Sequence, residues 1–323
     1  MKSYWIVTRD HKATLERREV PQPQPKAGEV VIKVHASALN RGELIVGGVV
    51  HGGPEKIGGN EASGVIHALG EGVTGFKPGE RVMGRARGAF AEYALMDAHQ
   101  ILPAPTRLSW EEAAATPLSF ITAYEAVVMY GKLQKGEWLL ITGASSGAGV
   151  CSIQIAQVLG ARSIGTSGSA EKLQKLKGIG LDVGIKTRGP DFSAKVRDAT
   201  AGAGANLAVN LVGGSVFPEC LRALARKGRV AVVGYVDGEH HADIDLSAVH
   251  ANRFQIFGVS NAKVTAEERA DATRGFRRDI LPAIESGLIT PVVDRVFSFD
   301  DLPAAKAHME SNGMVGKIAV KIA

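Results

Sequence analysis

The sequence is poor in the residues on which several classes of protein depend. Its 323 residues include only two cysteines, Cys151 and Cys220, and each lies in an apolar pattern, which excludes a disulfide framework and a four-cysteine zinc site. No stretch approaches 18 uninterrupted apolar residues, and the N-terminus has no signal-peptide core, so no membrane partner is expected. The 38 Lys and Arg residues exceed the 33 Asp and Glu residues without forming a basic block, which predicts no nucleic-acid partner. These absences predict a cytoplasmic globular protein.

Glycine is abundant, with 39 residues that fall mainly between short apolar runs. Between Val30 and Ala38, apolar residues alternate with polar ones, which is typical of a half-buried strand. Turn signals are closely spaced from Gly58 to Leu95, and they predict an antiparallel, β-barrel-type domain.

The pattern changes after Ser109, and from residue 138 strands and helices alternate. This alternation predicts an α/β domain with a doubly wound parallel sheet, because parallel strands need crossover connections. The predicted strands are 138–142, 162–166, 183–186, 205–211, 229–234 and 254–259, and the predicted helices between them are 149–159, 170–177, 191–199 and 215–226. After residue 262 strands and helices no longer alternate, and a helix is predicted at 266–286. We therefore predict one domain made of residues 1–118 and 263–323 and a second domain of residues 119–262.

A turn rich in small residues follows the strand at 138–142. The three glycine places of the G-x-G-x-x-G dinucleotide motif hold Ala144, Ser146 and Gly149. Such a turn brings a pyrophosphate close to the backbone, where the unpaired N–H groups of the helix N-terminus can donate hydrogen bonds to its negatively charged oxygens. The predicted pyrophosphate-binding residues are Ser145, Ser146, Gly147, Ala148, Gly149 and Val150.

The end of the second strand of such a domain selects between NADH and NADPH. No carboxylate stands there, whereas Ser167 and Ser169 can donate to phosphate oxygens and Lys172 can place an ammonium beside them. We therefore predict NADPH as the cofactor. The alternative is that Ser169 only caps a helix and Lys172 is a solvated surface residue.

Several segments, taken in order, resemble the medium-chain dehydrogenase/reductase superfamily: 59–65, 77–82, the turn at 143–149, 209–214 and 316–318. Within it, Ala38-Leu39-Asn40-Arg41 and Phe120-Ile121-Thr122-Ala123-Tyr124 are most similar to the zinc-independent, zeta-crystallin-like quinone oxidoreductases. The resemblance implies a GroES-like, β-barrel-type catalytic domain, a Rossmann domain that binds NADPH, and a homodimer.

Zinc-dependent members of that superfamily hold their catalytic metal with two cysteines and a histidine. At the matching positions this sequence has Asn40, Asn60 and Leu118, none of which supplies a thiolate or an imidazole. We therefore predict a site without a metal.

The resemblance also implies roles for individual residues. Asn40 is expected to be the catalytic residue that lines the substrate side near the nicotinamide, Thr122 to contact the nicotinamide ribose, and Tyr124 to be a core residue. The other implied cofactor contacts are Gly234, Tyr235, Phe257, Gly258, Val259 and Lys317. Arg188, which follows the third strand, is expected either to stack on the cofactor or reach its phosphate, or to be a solvated loop residue.

Without a Lewis acid, reduction of a conjugated acceptor is easier than reduction of an isolated carbonyl, because the developing charge delocalises. We therefore predict hydride transfer from NADPH to a quinone or another small conjugated carbonyl compound. One alternative is reduction of a 2-enoyl thioester or an enone. An alternative of another class is a non-catalytic NADPH-binding protein with a structural or regulatory role.

Overall fold

The computed structural model describes residues 1–9, 12–46 and 55–323, and these residues form two compact units. The first, which we call the β unit, comprises Met1–Leu118, Arg269–Arg277 and Thr290–Ala323. The second, the α/β unit, comprises Ser119–Glu268 and Arg278–Ile289. Among the described residues, no helix combines the length and the apolar character needed to cross a membrane.

The first part of the β unit consists of short strands. They are, in chain order, β1 (Lys2–Arg9), β2 (Lys12–Glu19), β3 (Glu29–Ala38), β4 (Lys56–Ile57), β5 (Glu61–Leu69), β6 (Arg81–Arg85), β7 (Tyr93–Asp97) and β8 (Ile101–Pro103), followed by helix α1 (Trp110–Ala114). A π-helical turn spans Gly42–Val46, and a 3-10 turn spans Ala98–Gln100.

Strands and helices alternate in the next part of the chain. Its elements are α2 (Pro117–Tyr124), β9 (Trp138–Thr142), α3 (Gly147–Val158), β10 (Arg162–Ser167), α4 (Ala170–Lys177), β11 (Val183–Lys186), α5 (Ser193–Ala199), β12 (Ala205–Asn210), α6 (Phe217–Ala223), β13 (Leu224–Val232), α7 (Leu246–Asn252), β14 (Gln255–Gly258), α8 (Ala266–Asp279) and α9 (Leu281–Glu285). A π-helical turn at Glu125–Met129 follows α2, and a 3-10 turn at Gly214–Val216 precedes α6. The chain closes with β15 (Val293–Ser298), a 3-10 turn at Phe299–Asp301, α10 (Leu302–Glu310) and β16 (Lys317–Lys321).

The sheet of the α/β unit is parallel throughout, with the order β11-β10-β9-β12-β13-β14. This order reverses between β9 and β12, as in doubly wound dinucleotide-binding folds, and it confirms the predicted fold class. All five residues of β9 are buried, because helices cover both faces of such a sheet.

The β unit contains a three-stranded sheet, β2-β1-β4, and a larger sheet with the order β15-β16-β3-β5-β6-β8, in which β7 also pairs with β3. Most of these pairs are antiparallel, as the closely spaced turns predicted. Because β16 pairs with the end of β3, the end of the chain lies beside residues near position 40.

Two predicted helices are shorter in the structure. The helix predicted at 266–286 is divided into α8 and α9, and Pro282, which lacks an N–H group, lies in the first turn of α9. The helix predicted at 215–226 ends at Ala223, and β13 begins at the next residue.

The compact units also differ from the predicted domain boundaries in one respect. Residues 263–268 and 278–289 lie in the α/β unit, whereas the predicted first domain resumed at residue 263. Within the α/β unit, the Tyr124 hydroxyl donates to Asp279 Oδ2 at 2.7 Å, and Ile280 and Ile284 are fully buried. These contacts explain why the segment is part of that unit.

Candidate active site

The turn between β9 and α3 exposes backbone donors. Ser146 caps α3, with its Oγ accepting from Gly149 N at 3.2 Å. Among the described residues, the backbone N–H groups of Ser145, Gly147 and Ala148 have no acceptor, and these residues are partly exposed. Unpaired N–H groups at a helix N-terminus form an anion site, so the turn fits a pyrophosphate.

Gly149 allows the helix to pack closely against this turn. A Cβ atom at Gly149 would lie 2.6 Å from the carbonyl oxygen of Ala144 and 2.8 Å from its carbonyl carbon. These are backbone atoms, so they could not move aside as a flexible side chain could. The one glycine of the motif that the sequence retains is therefore the one that this packing requires.

The loop after β10 contains the predicted phosphate-binding serines. Ser169 caps α4, with its Oγ accepting from Lys172 N at 3.3 Å, and Ser167 Oγ accepts from Ser169 N at 3.3 Å. The capping role considered in the sequence analysis is therefore present. Glu171, in the first turn of α4, forms an ion pair with Lys175 at 2.9 Å.

Arg188 lies directly against this loop. A Cβ atom at Gly168 would be 2.5 Å from Nε of Arg188 and 2.8 Å from its Cζ, so the guanidinium group packs on the glycine backbone. Within the described part of the chain, the Arg188 side chain forms neither an ion pair nor a hydrogen bond. An unpaired cation next to two serines and the capped end of α4 fits a phosphate group.

The other predicted cofactor residues follow the ends of parallel strands. Gly234 and Tyr235 come after β13, and Tyr235 is exposed and lies 4.8 Å from the His240 ring. Phe257 and Gly258 end β14, and Val259 donates from its N–H to Val232 O at 2.9 Å. Because carboxyl ends of parallel strands share one sheet edge, these residues lie on the same edge as the β9 turn.

Two predicted residues lie on α2. Thr122 Oγ1 accepts from Asn261 Nδ2 at 3.5 Å. Tyr124 is buried, as predicted, and burial together with Asp279 raises the pKa of its hydroxyl to about 12. A phenol with that pKa and a carboxylate partner is a structural donor.

In the β unit, the predicted catalytic residue Asn40 is partly exposed and bonds to the buried residues Glu61 and Lys317. Asn40 Nδ2 donates to Glu61 Oε1 at 2.9 Å and to Ala38 O at 3.4 Å, and Asn40 Oδ1 accepts from Lys317 Nζ at 2.7 Å. Both amide hydrogens of Asn40 therefore have acceptors within the protein.

Lys317 is at the centre of this group of residues. Its Nζ lies 2.7 Å from Leu39 O, Asn40 Oδ1 and Glu61 Oε1, and the residue is only 5% exposed. An ammonium has three hydrogens, and each has an acceptor here. This geometry leaves Lys317 no free donor, and its predicted cofactor contact stays a prediction.

Glu61 connects two of the positions that hold zinc in metal-dependent relatives. Its Oε1 accepts from Asn40, and its Oε2 accepts from Leu118 N at 2.8 Å. The three matching positions carry two amides and a leucine, and this donor set does not fit zinc, which takes thiolate, imidazole or carboxylate ligands. Among the described residues, no group of three His, Cys, Asp or Glu side chains could hold a metal ion.

Glu43 is a member of this site that the sequence did not predict. Its carboxyl is buried, its Oε1 accepts from Gly59 N at 2.9 Å, and its Oε2 has no hydrogen-bond partner in the described residues. Burial raises the pKa of Glu43 to about 7, against the opposing effect of the Gly59 N–H. Glu43 N donates to Asn40 O at 3.2 Å. The spacing Asn40-x-x-Glu43 places both residues on one helical turn, and it is the sequence signal from which Glu43 could have been predicted.

Two family models match the chain. Residues 26–106 match the alcohol dehydrogenase GroES-like domain, and residues 147–274 match the zinc-binding dehydrogenase family. The first match confirms the GroES-like domain, and the second covers most of the α/β unit.

Similar proteins include both quinone and thioester reductases. The quinone oxidoreductase of Rattus norvegicus is 28% identical over 93% of this chain and 91% of its own length. The acryloyl-coenzyme A reductase of Metallosphaera sedula is 28% identical over 97% of this chain and 98% of its own length. A mycobacterial protein solved in complex with NADPH has 26% identity and a TM-score of 0.87, with both chains covered completely.

The chain also matches segments of much larger proteins. Over 93% of its length it is 30% identical to a highly reducing polyketide synthase of Aureobasidium melanogenum, and it spans 14% of the length of that protein. The likeness therefore concerns one segment of the synthase.

Proposed function

We propose that this chain, an oxidoreductase of the medium-chain dehydrogenase/reductase superfamily that resembles its quinone oxidoreductase branch, uses NADPH to reduce quinones or other conjugated carbonyl compounds without a metal. One observation carries the proposal: the positions that would bind a catalytic zinc hold Asn40, Asn60 and Leu118, and Glu61 connects the first and the last of them. Without a Lewis acid, the acceptor must itself delocalise the developing charge.

The α/β unit offers donors for both ends of NADPH. The open N–H groups of Ser145, Gly147 and Ala148 would hold the pyrophosphate, and Ser167, Ser169, Lys172 and Arg188 would hold the 2′-phosphate. The absence of a carboxylate at the end of β10 supports NADPH over NADH, because a carboxylate there would hydrogen bond to a free ribose 2′-hydroxyl.

When bound, NADPH would supply the hydride. The protein's contribution is to orient the two reactants and to donate hydrogen bonds to the acceptor oxygen as it becomes negative. The proton that completes the reduction comes from solvent. We do not assign this step to Tyr124, because the Tyr124 hydroxyl is held by Asp279.

A second candidate acceptor is a 2-enoyl thioester. The acryloyl-coenzyme A reductase matches this chain as well as the quinone oxidoreductase does, at 28% identity for each. A thioester-conjugated double bond also spreads negative charge to an oxygen, so the same site could serve both acceptors.

The proposal is tested by NADPH consumption. We expect NADPH absorbance to fall when small quinones or enones are added, and chelators to leave the rate unchanged. Loss of activity in a chelator, restored by added zinc, would contradict a metal-free reaction. No turnover with any quinone, enone or enoyl thioester would contradict the enzymatic proposal.

The cofactor assignment is tested by the dissociation constants of NADPH and NADH. Lys172→Ala should weaken NADPH binding about 10-fold, as expected for the loss of one charged hydrogen bond, and leave NADH binding nearly unchanged. Lys175→Ala is the matched control, because Lys175 lies on the same helix and forms an ion pair with Glu171. Equal weakening of both cofactors by Lys172→Ala would contradict the assignment.

A further inference from the structure

The hydrogen-bonding capacity of Asn40 is largely used within the protein. Glu61 and Ala38 accept its two amide hydrogens, and Lys317 donates to its oxygen. To donate to a substrate, Asn40 would have to give up either its 3.4 Å bond to Ala38 O or its 2.9 Å bond to the buried Glu61 carboxylate. Either change leaves an acceptor of the protein without this donor, so Asn40 is less suited to bind the acceptor than an amide with no such partner.

Asn60 differs in this respect, although it lies one residue from Glu61. Like Asn40 it is partly exposed, but its side-chain amide has no hydrogen-bond partner among the residues that the structure describes. It also occupies the position of the histidine ligand in zinc-dependent relatives. An open amide therefore stands at a position where related proteins place a catalytic group.

The backbone around Asn60 is held on both sides. Gly59 N donates to the buried Glu43 carboxyl at 2.9 Å, and Asn60 O accepts from Ala86 N at 2.9 Å. The next residue, Glu61, is fixed by Asn40, Lys317 and Leu118. A side chain on a fixed backbone is oriented before the substrate arrives, which is the condition for an effective donor.

We propose that the Asn60 side-chain amide, and not that of Asn40, donates the hydrogen bond to the carbonyl oxygen of the acceptor. Asn40, Glu43 and Glu61 are positioning residues that hold the segment carrying Asn60. The inference deepens the proposed function, since it assigns the acceptor-binding group of the same site.

The chemical step balances with this assignment. The hydride forms a new C–H bond at the conjugated carbon, and the π electrons move to the carbonyl oxygen, which becomes negative. Asn60 donates a hydrogen bond to that oxygen without losing a proton. A solvent proton then bonds to the reduced acceptor, and a bound NADPH, having given up its hydride, would be oxidised to NADP⁺. A neutral donor suits this step because its bond strengthens as the oxygen gains charge.

The test compares Asn60→Ala, Asn60→Asp and Asn40→Ala with the wild type. Loss of one donor to a developing oxyanion costs on the order of 100-fold in rate, so we expect Asn60→Ala to lower kcat about 100-fold for a quinone. Asn60→Asp keeps the size of the side chain but removes its N–H donor, and it should lose at least as much. Neither variant should change the NADPH dissociation constant or lower Tm, because the Asn60 side chain bonds to no described residue.

Asn40→Ala serves as the contrast. It should lower Tm, because Glu61 and Lys317 each lose a partner, while kcat measured below its unfolding temperature should fall less than in Asn60→Ala. Unchanged kcat in Asn60→Ala, or a fall in Tm large enough to account for the loss of activity, would overturn the inference.

Calorimetric titration with p-benzoquinone separates this inference from the proposed function. If the wild type binds the quinone without reducing it, the proposed function fails, and a dissociation constant raised by Asn60→Ala still supports the assignment. If the wild type neither binds nor reduces any acceptor, both fail.

Discussion

The two units use polar residues in opposite ways. In the β unit, the partly exposed Asn40 and the buried Glu61 and Lys317 are bonded to one another. In the α/β unit, the backbone N–H groups of Ser145, Gly147 and Ala148 and the guanidinium of Arg188 have no acceptor among the described residues. The first arrangement fixes a backbone, and the second leaves donors available to a ligand.

Whether a polar residue can bind a ligand depends on which of its donors and acceptors are unused in the fold. A side chain binds a ligand only with donors and acceptors that the fold leaves unused, because buried groups that lose a partner are costly. By this criterion Lys317 has no donor left for a ligand, although it lies in a family motif. Arg188 keeps its donors available, and its contact with the cofactor stays a prediction.

Lys317→Met is expected to have the largest effect on stability. It removes the cation that faces the Glu61 carboxylate, and breaking a buried ion pair by deleting one partner costs about 3–5 kcal/mol. The measurement is the free energy of unfolding from urea denaturation. Lys321→Met is the matched control, because Lys321 lies on the same strand but is exposed, and it should change the free energy by less than about 0.5 kcal/mol. Equal effects of the two substitutions would mean that the buried Lys317 stabilises the β unit no more than the exposed Lys321 does.

Much of the fold could be predicted, because it depends on local patterns. The alternation of strands and helices predicted the order of the α/β unit, and the strand ends placed Ser167, Ser169 and Arg188 on one edge of a sheet. The predicted roles of Asn40 and Lys317 depended on partners that are distant in sequence. These two residues are 277 positions apart, and no local pattern shows that they share a hydrogen bond.

Glu43→Gln should change how stability depends on pH. Burial raises the pKa of Glu43 from its ordinary value of 4.5 to about 7, so the folded protein binds one more proton than the unfolded chain between these values. The free energy of unfolding of the wild type therefore falls as pH rises through this window, and the loss is complete above it. Glutamine cannot ionise, so the stability of the variant relative to the wild type should rise by roughly 2–3 kcal/mol from pH 4.5 to pH 7.5.

The measurement for Glu43 is a series of urea denaturation curves across that pH range. Lys56, Glu61, Arg85 and Lys317 are the charged groups that act on Glu43, and they are unchanged in the variant. Parallel stability curves for the wild type and Glu43→Gln would mean that Glu43 does not titrate in this window. In that case the β unit would hold a third buried charge.

Gly168→Ala should have the smallest effect, and it tests whether the Arg188 guanidinium is available to a ligand. The new Cβ would lie 2.5 Å from Nε of Arg188, and this flexible side chain can move away, so little stability should be lost. The guanidinium would leave the loop that carries Ser167 and Ser169, and NADPH affinity should fall about 10-fold while NADH affinity stays nearly the same. Gly189→Ala is the control, since a Cβ there would meet no atom within 4 Å.

Arg188→Ala should reproduce the effect, and combining it with Gly168→Ala should add nothing further, because both changes remove the same contact. Additive losses would mean that Gly168 affects the cofactor independently of Arg188. Unchanged NADPH affinity in Arg188→Ala would instead mean that Arg188 is the solvated loop residue that the sequence also allowed.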